Sequence, residues 1–332
     1  MNEAQFLASR EAGWSMLQRL CDRADVSPAN LTTGELRELV RLYRQVSRDL
    51  ALARTHSVNV DLIAHLNSLC ARAYSQLYRT PRKPFGAALG AALASAAQTV
   101  RRRAWFVAAS ATIFVAGVLF AAWALRSVPE ARVHLIPPMM EPVFAQWKSG
   151  QFEERSASEA IAMSGFYSSN NPFVAILSGA IAAATFGVGT AERLFSNGLI
   201  LGSLASEMAG VGKLGHLLVS IAPHGVTEIS GLVLSGAGGL ALGWALIAPG
   251  RRSRGDALRE AGHDAIVLLA TSVVLMFIAA PIEGFFSFNP SVPGWAKVAL
   301  ALASAAGWAV FWTGYGREIE EAPLSQRPPG RA

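Results

Sequence analysis

Charge is scarce in this sequence: 16% of its 332 residues are Asp, Glu, Lys or Arg, against about a quarter in an ordinary soluble domain. Cysteine is scarcer still. Cys21 and Cys70 are the only two, which excludes a disulfide framework and a cysteine-rich zinc site, and suits two buried thiols in a reducing compartment. Met1 to Trp14 carry charges and no apolar run, so no cleavable signal peptide is expected. No Gly-x-Ser-x-Gly elbow and no complete phosphate loop occur: Gly210 to Leu214 holds a Gly-Lys pair without the first Gly or the following Ser or Thr. The pair of histidines around a glutamate that marks helical zinc proteases is missing as well. These absences argue against an enzyme and give no reason to expect a cofactor or a bound metal.

What is abundant is apolar. Hydrophobic residues make up 52% of the chain, and the mean hydropathy is +0.33. The few charges crowd into residues 1–83, which read as a helical bundle. A first helix is expected over residues 3–24. Thr32 and Glu35 form a capping box before a second helix, in which Leu36, Leu39, Val40, Tyr43 and Val46 recur at three and four. A third helix is expected over 58–79, with Val60, Ile63, Leu66, Cys70 and Tyr74 apolar or aromatic. Pro81 and Pro84 end the pattern. Residues 84–103 form a juxtamembrane linker whose Ala- and Leu-rich part suits a surface-lying helix ending in Arg101, Arg102 and Arg103.

Residues 104–316 read as a helical transmembrane domain. About 20 apolar residues span a bilayer core, and Ala104 to Leu125 satisfies this without interruption. The basic triplet places the start of that run inside, so the bundle is expected to be cytoplasmic and the protein to sit in a bacterial inner membrane. An outer loop would cover 126–171. Further spans are expected at Pro172–Thr190, Val226–Ala248, Asp264–Ile282 and Trp295–Tyr315. Gly198 to Ala222, interrupted by Glu207, Lys213 and His216, reads either as a sixth span or as a re-entrant pair of half helices. Arg251, Arg252 and Arg254 mark a second inner end. Residues 317–332 read as a disordered cytoplasmic tail. The net charge of +6 then reports topology, not nucleic-acid binding.

Small residues repeat every fourth position in two rows: Gly198, Gly202, Ser206 and Gly210, then Gly231, Ser235, Gly239 and Gly243. Such rows let helix backbones approach closely, within one subunit or across a homo-oligomer seam. The densest polar sequence in an apolar setting is Pro223-His224-Gly225-Val226-Thr227-Glu228. Pro223 suits a helix start, and His224 and Glu228, four apart, share a helix face. Ionisable groups at membrane depth are costly and are candidates for function by default. The plain alternative is a hydrogen-bonded pair that locks the helix start. Glu207 and His216 could join them if the preceding segment folds back. Asn170, Asn171 and Asn197 suit turns and caps.

As a set, Asn170-Asn171, Phe186-Gly187-Val188-Gly189-Thr190, Asn197-Gly198 with Gly202, Pro223-His224-Gly225 with Glu228, and the Gly236–Leu240 run resemble the stage II sporulation protein M family of bacterial membrane proteins. Leu42-Tyr43-Arg44, Asp49-Leu50-Ala51 and Ala53-Arg54 resemble the cytoplasmic extension of its longer members. In spore formers the family member is part of a membrane complex that remodels peptidoglycan, where it anchors enzymes. Longer members occur in bacteria that make no spores, encoded near AAA-type ATPases, von Willebrand-factor-type proteins and RDD-domain membrane proteins. The resemblance therefore implies a noncatalytic membrane scaffold with lipid, membrane or envelope-protein contacts, and an AAA-type ATPase system as a partner. The other reading is a transporter or lipid-handling protein that uses the polar cluster at His224 and Glu228. A water-containing cavity at Glu228 separates the two, because only the second needs one.

Overall fold

The computed structural model describes residues 3–26, 30–56, 59–78, 84–150 and 155–317, and among them every regular element is helical. The chain divides into two compact units, Met1–Pro84 and Phe85–Ala332. The disordered-tail reading for 317–332 concerns residues that, Arg317 aside, lie outside the described ones.

The first unit consists of α1 (Glu3–Val26), α2 (Thr33–His56) and α3 (Val60–Leu77). Thr32 caps α2: its Oγ accepts from the Glu35 amide at 3.3 Å, and Glu35 returns a bond to the Thr32 amide at 2.8 Å. Asn59 caps α3 through the Leu62 amide. The core holds Trp14, Leu17, Cys21, Leu39, Leu42, Val46, Leu66, Leu69 and Ala73. Of the apolar residues expected to recur on α2 and α3, Leu39, Val46 and Leu66 are buried in the core and Tyr43, Ile63 and Cys70 pack against it. Leu36, Val60 and Tyr74 are exposed, while Leu42, Asp49, Leu62 and Leu69 are buried. Tyr74 instead stacks beside Tyr78 and Tyr43 at the bundle edge, where a phenol can keep its hydroxyl in water. Asp49 is tolerated inside because the Trp14 indole donates to it at 2.9 Å and Arg10 approaches to 3.6 Å.

The second unit begins with α4 (Phe85–Arg102) and α5 (Ala104–Ser127). A single-turn α6 (Arg132–Leu135) and α7 (Glu141–Ser149) follow. Then come α8 (Ala157–Ala180), a one-turn α9 (Ala182–Thr185), α10 (Val188–Gly210), α11 (Leu214–Ile247), α12 (Arg254–Pro281) with a π-helical turn over Ile282–Ser287, and α13 (Gly294–Gly314). Four of these are long and apolar enough to cross a membrane: α5, α11, α12 with its π turn, and α13. They answer to four of the six expected spans.

The other two expected spans do not exist with the bounds read from the sequence. Pro172–Thr190 straddles a break between α8 and α10, where Phe186 and Gly187 take consecutive left-handed conformations (φ 52° and 87°) and turn the chain back. Gly198–Ala222 straddles a second break at Gly212, φ 72°. Pro223 starts no helix; it lies in the tenth position of the 34-residue α11. Asn170 and Asn171 likewise lie inside α8, not in a turn before it. The expected loop 126–171 is largely helical, and Ser156 opens α8 with a capping box to Glu159.

Packing follows the small residues. Gly117, Gly198 and Gly202 bring α5 against α10: a Cβ on Gly202 would lie 2.7 Å from the Val118 Cα. Gly210, by contrast, faces open space. The row on α11 serves several neighbours. Gly231 meets α12 near the Ser272 carbonyl, Ser235 donates to the Ala175 carbonyl on α8, a Cβ on Gly239 would lie 2.6 Å from the Thr190 hydroxyl, and Gly243 meets Gly187. The basic triplet is also a packing device. Arg102 and Arg103 bond the buried Asp264 of α12 at 2.5 and 2.7 Å, and Arg101 donates to the Trp312 and Tyr315 carbonyls. The helix expected to lie on the membrane surface, α4, packs on α12 and α13 with Ala94, Ala97 and Val100 buried.

Candidate functional site

Three helices of the second unit carry an interior proline: Pro172 in α8, Pro223 in α11 and Pro281 at the end of α12. A proline has no N–H to give the carbonyl four residues back, so each leaves a local gap in the helical ladder. At membrane depth such gaps are tolerated where protein or a cavity satisfies them. Each of these prolines sits within two residues of a polar side chain that borders one cavity: Asn171, His224 and Glu283.

The cavity has a volume of about 380 Å³. Its walls are apolar, with Phe114 from α5, Leu201 from α10, Leu232 from α11 and Met276 from α12. Its polar groups are Asn170 and Asn171 from α8, Asn197 from α10, His224 and Glu228 from α11, and Glu283 from the π turn. π turns inside helices are recurrent carriers of functional groups. This one widens the end of α12 so that both Glu283 and Ser287 face α11, and Gly284 beside them rests on the Ala160 carbonyl, where a Cβ would lie only 2.9 Å away.

The polar end is organised by hydrogen bonds. His224 is 5% exposed, and its Nδ1 meets the Ser287 hydroxyl at 2.7 Å. Its Nε2 lies 3.9 Å from a Glu283 carboxylate oxygen. Glu283 is 9% exposed, and its other oxygen accepts from the Asn171 amide at 3.4 Å. Nothing hydrogen-bonds the Glu228 carboxylate among the described residues, and one ligand atom from each of His224, Glu228 and Glu283 lies within 4.8 Å of the others. These three could hold a metal ion. Ser287, His224 and Glu283 also line up in the order nucleophile, base and orienting acid. Ser287 is fully buried and does not border the cavity, and 3.9 Å is beyond a hydrogen bond, so the set is not poised for nucleophilic attack.

Of the four residues expected to form a polar cluster, the structure brings His224 and Glu228 together and sends the other two elsewhere. Glu207 is clamped by Arg132 at 3.0 Å and Lys148 at 2.7 Å, and so ties α10 to the 128–150 segment. His216 lies edge-on to Trp147 of the same segment, at 6.2 Å between ring centroids. Asn170, Asn171, Asn197 and Gly225 line the cavity; Gly187, Gly189, Gly198, Gly202 and Gly239 serve turns and helix contacts; Pro223 opens the ladder next to His224. Sequence reasoning missed Glu283. It is the only Asp, Glu, Lys or Arg between Asp264 and Lys297, and a lone acid in such a run is itself the signal.

Residues 4–79 match a domain of unknown function (DUF8413). No curated protein and no solved structure matches the chain at a significant level. Residues 110–288, more than half of the chain and the whole of the cavity lining, match the Stage II sporulation protein M family, a family of membrane proteins, and the chain belongs to it.

Proposed function

We propose that the second unit is a ligand-handling membrane domain, of transporter or lipid-handling type, whose binding site is the cavity at His224, Glu228 and Glu283. The observation that carries this reading is the cavity itself: roughly 380 Å³ of space bordered by two carboxylates, an imidazole and three asparagine side chains among otherwise apolar walls. Close packing is the default inside proteins, and a gap beside two acids at membrane depth costs stability that a structural role does not call for. The two carboxylates call for a cationic ligand, or for one that delivers protons. No group at the cavity is placed as a nucleophile, and we read the protein as noncatalytic. We place it in a bacterial inner membrane with the first unit in the cytoplasm, on the strength of the two arginine clusters.

A recruiting role for the first unit is a second reading with its own observation. Arg10, Arg37, Arg41, Arg44 and Arg48 line one groove of the bundle, opposed inside it by Asp49. Such a groove suits an acidic surface on a partner, an AAA-type ATPase system or an envelope-complex subunit being the expected kind.

Water access tests the first reading. With Cys21 and Cys70 changed to serine, Asn197→Cys on the cavity wall should react readily with a membrane-impermeant methanethiosulfonate reagent in detergent-solubilised protein, while Leu302→Cys on the outer face of α13 should react slowly within the detergent belt. An inert Asn197→Cys would mean that the cavity is closed packing space, and the scaffold reading would replace this one.

A further inference from the structure

We propose that His224, Glu228 and Glu283 form a binding site for one divalent first-row transition-metal ion, with Zn²⁺ and Mn²⁺ the best-suited ions. The inference deepens the ligand-handling reading by naming the ligand class at the polar end of the cavity.

Three features carry it. The first is the donor set. One imidazole nitrogen and two carboxylate oxygens, each within 4.8 Å of the others, come from two helices that pack extensively on one another. Metal bonds of 2.0–2.2 Å place neighbouring ligand atoms about 3.4 Å apart in a tetrahedron. The His224 Nε2 to Glu283 gap is 3.9 Å, within about half an ångström of that spacing.

The second is the outer shell. A metal-binding histidine ordinarily engages its other ring nitrogen with a polar partner, and a ligating carboxylate is itself held by a hydrogen bond. Both are in place: Ser287 on Nδ1 of His224, and Asn171 on the far oxygen of Glu283. In the tautomer whose Nδ1–H donates to Ser287, the Nε2 lone pair is free for a metal on the side of Glu283.

The third is charge and room. Two carboxylates this close at membrane depth need compensation. Arg155, which donates to the Gly284 carbonyl and lies over the Phe288 ring, is a single nearby cation against two carboxylates. A divalent ion offsets both charges at once. Three protein ligands leave at least one coordination position open, and the cavity provides the space for water or a further ligand there. Mixed imidazole and carboxylate donors favour first-row ions such as Mn²⁺ and Zn²⁺ over Ca²⁺ or Mg²⁺, which take oxygen ligands almost exclusively.

The test is metal retention by the full-length, tag-free protein in detergent. After EDTA stripping, the protein is equilibrated with ZnCl₂ or MnCl₂, desalted, and measured for metal by inductively coupled plasma mass spectrometry. The expected result is close to one ion per chain for the wild type and for Glu207→Gln, whose carboxylate lies outside the site, and a loss of at least tenfold in Glu283→Gln and in His224→Gln. Wild-type protein that keeps no ion overturns the proposal whether or not the variants fold. Undiminished retention in both variants overturns it too. Cavity labelling at Asn197→Cys is independent of this readout, so a labelled cavity without a retained ion rejects the metal and leaves the ligand-handling reading standing.

Discussion

One residue that shapes the first unit is its buried acid. Asp49 lies on the face of α2 that would otherwise be apolar, and it is buried with the Trp14 indole N–H bonded to it. Replacing it with alanine orphans that N–H in the core, which costs about 1–3 kcal/mol. Asp49→Ala should therefore lower the denaturant midpoint of the first unit, read by limited proteolysis of the full chain; an unchanged midpoint would mean that water replaces the carboxylate. At the cavity, His224 and Glu228 were legible because an ionisable pair four apart stands out in an apolar run. Their true neighbour was not. Glu283 stands 55 residues beyond Glu228, and only the π turn after Pro281 aims it at α11. Glu207 misled for the opposite reason, since its partners Arg132 and Lys148 lie in a segment that reads as a polar loop.

At the scale of elements, composition named the helices well and their ends poorly. The four strongly apolar spans were legible from length alone. Prolines marked false boundaries at 172 and 223, because neighbouring helices can satisfy the carbonyls they release. Glycines at 187 and 212 marked the true breaks, through positive φ angles that composition does not reveal. The small-residue rows were legible as close contacts, although not which helices they join. Gly202→Leu would drive a side chain into the Val118 backbone of α5, and Gly239→Leu into Thr190 and the Gly179 carbonyl. Overpacking of this kind costs about 1–3 kcal/mol. Both variants should melt at lower temperature in detergent, whereas Gly210→Leu, which meets open space, should melt like the wild type. Equal melting of all three would mean that these faces do not set the stability of the unit.

The whole molecule combines a helical bundle with a membrane domain that encloses a cavity bordered by ionisable side chains. The family match spans every residue that borders the void and stops short of α13. The division of the chain into a charged first part and an apolar second part was legible from charge alone; that the second part encloses a cavity was not, because a cavity is made by residues that several helices bring together. The central claim is that the cavity serves a ligand at the expense of packing. Its most direct test is the thermal unfolding of Glu228→Gln beside the wild type, both stripped of divalent ions. Replacing a carboxylate that serves a ligand should leave the melting temperature unchanged or raise it, as is common when functional residues are neutralised. A clear fall in melting temperature would contradict the claim and show that Glu228 is part of the structural lock that holds α11 in place.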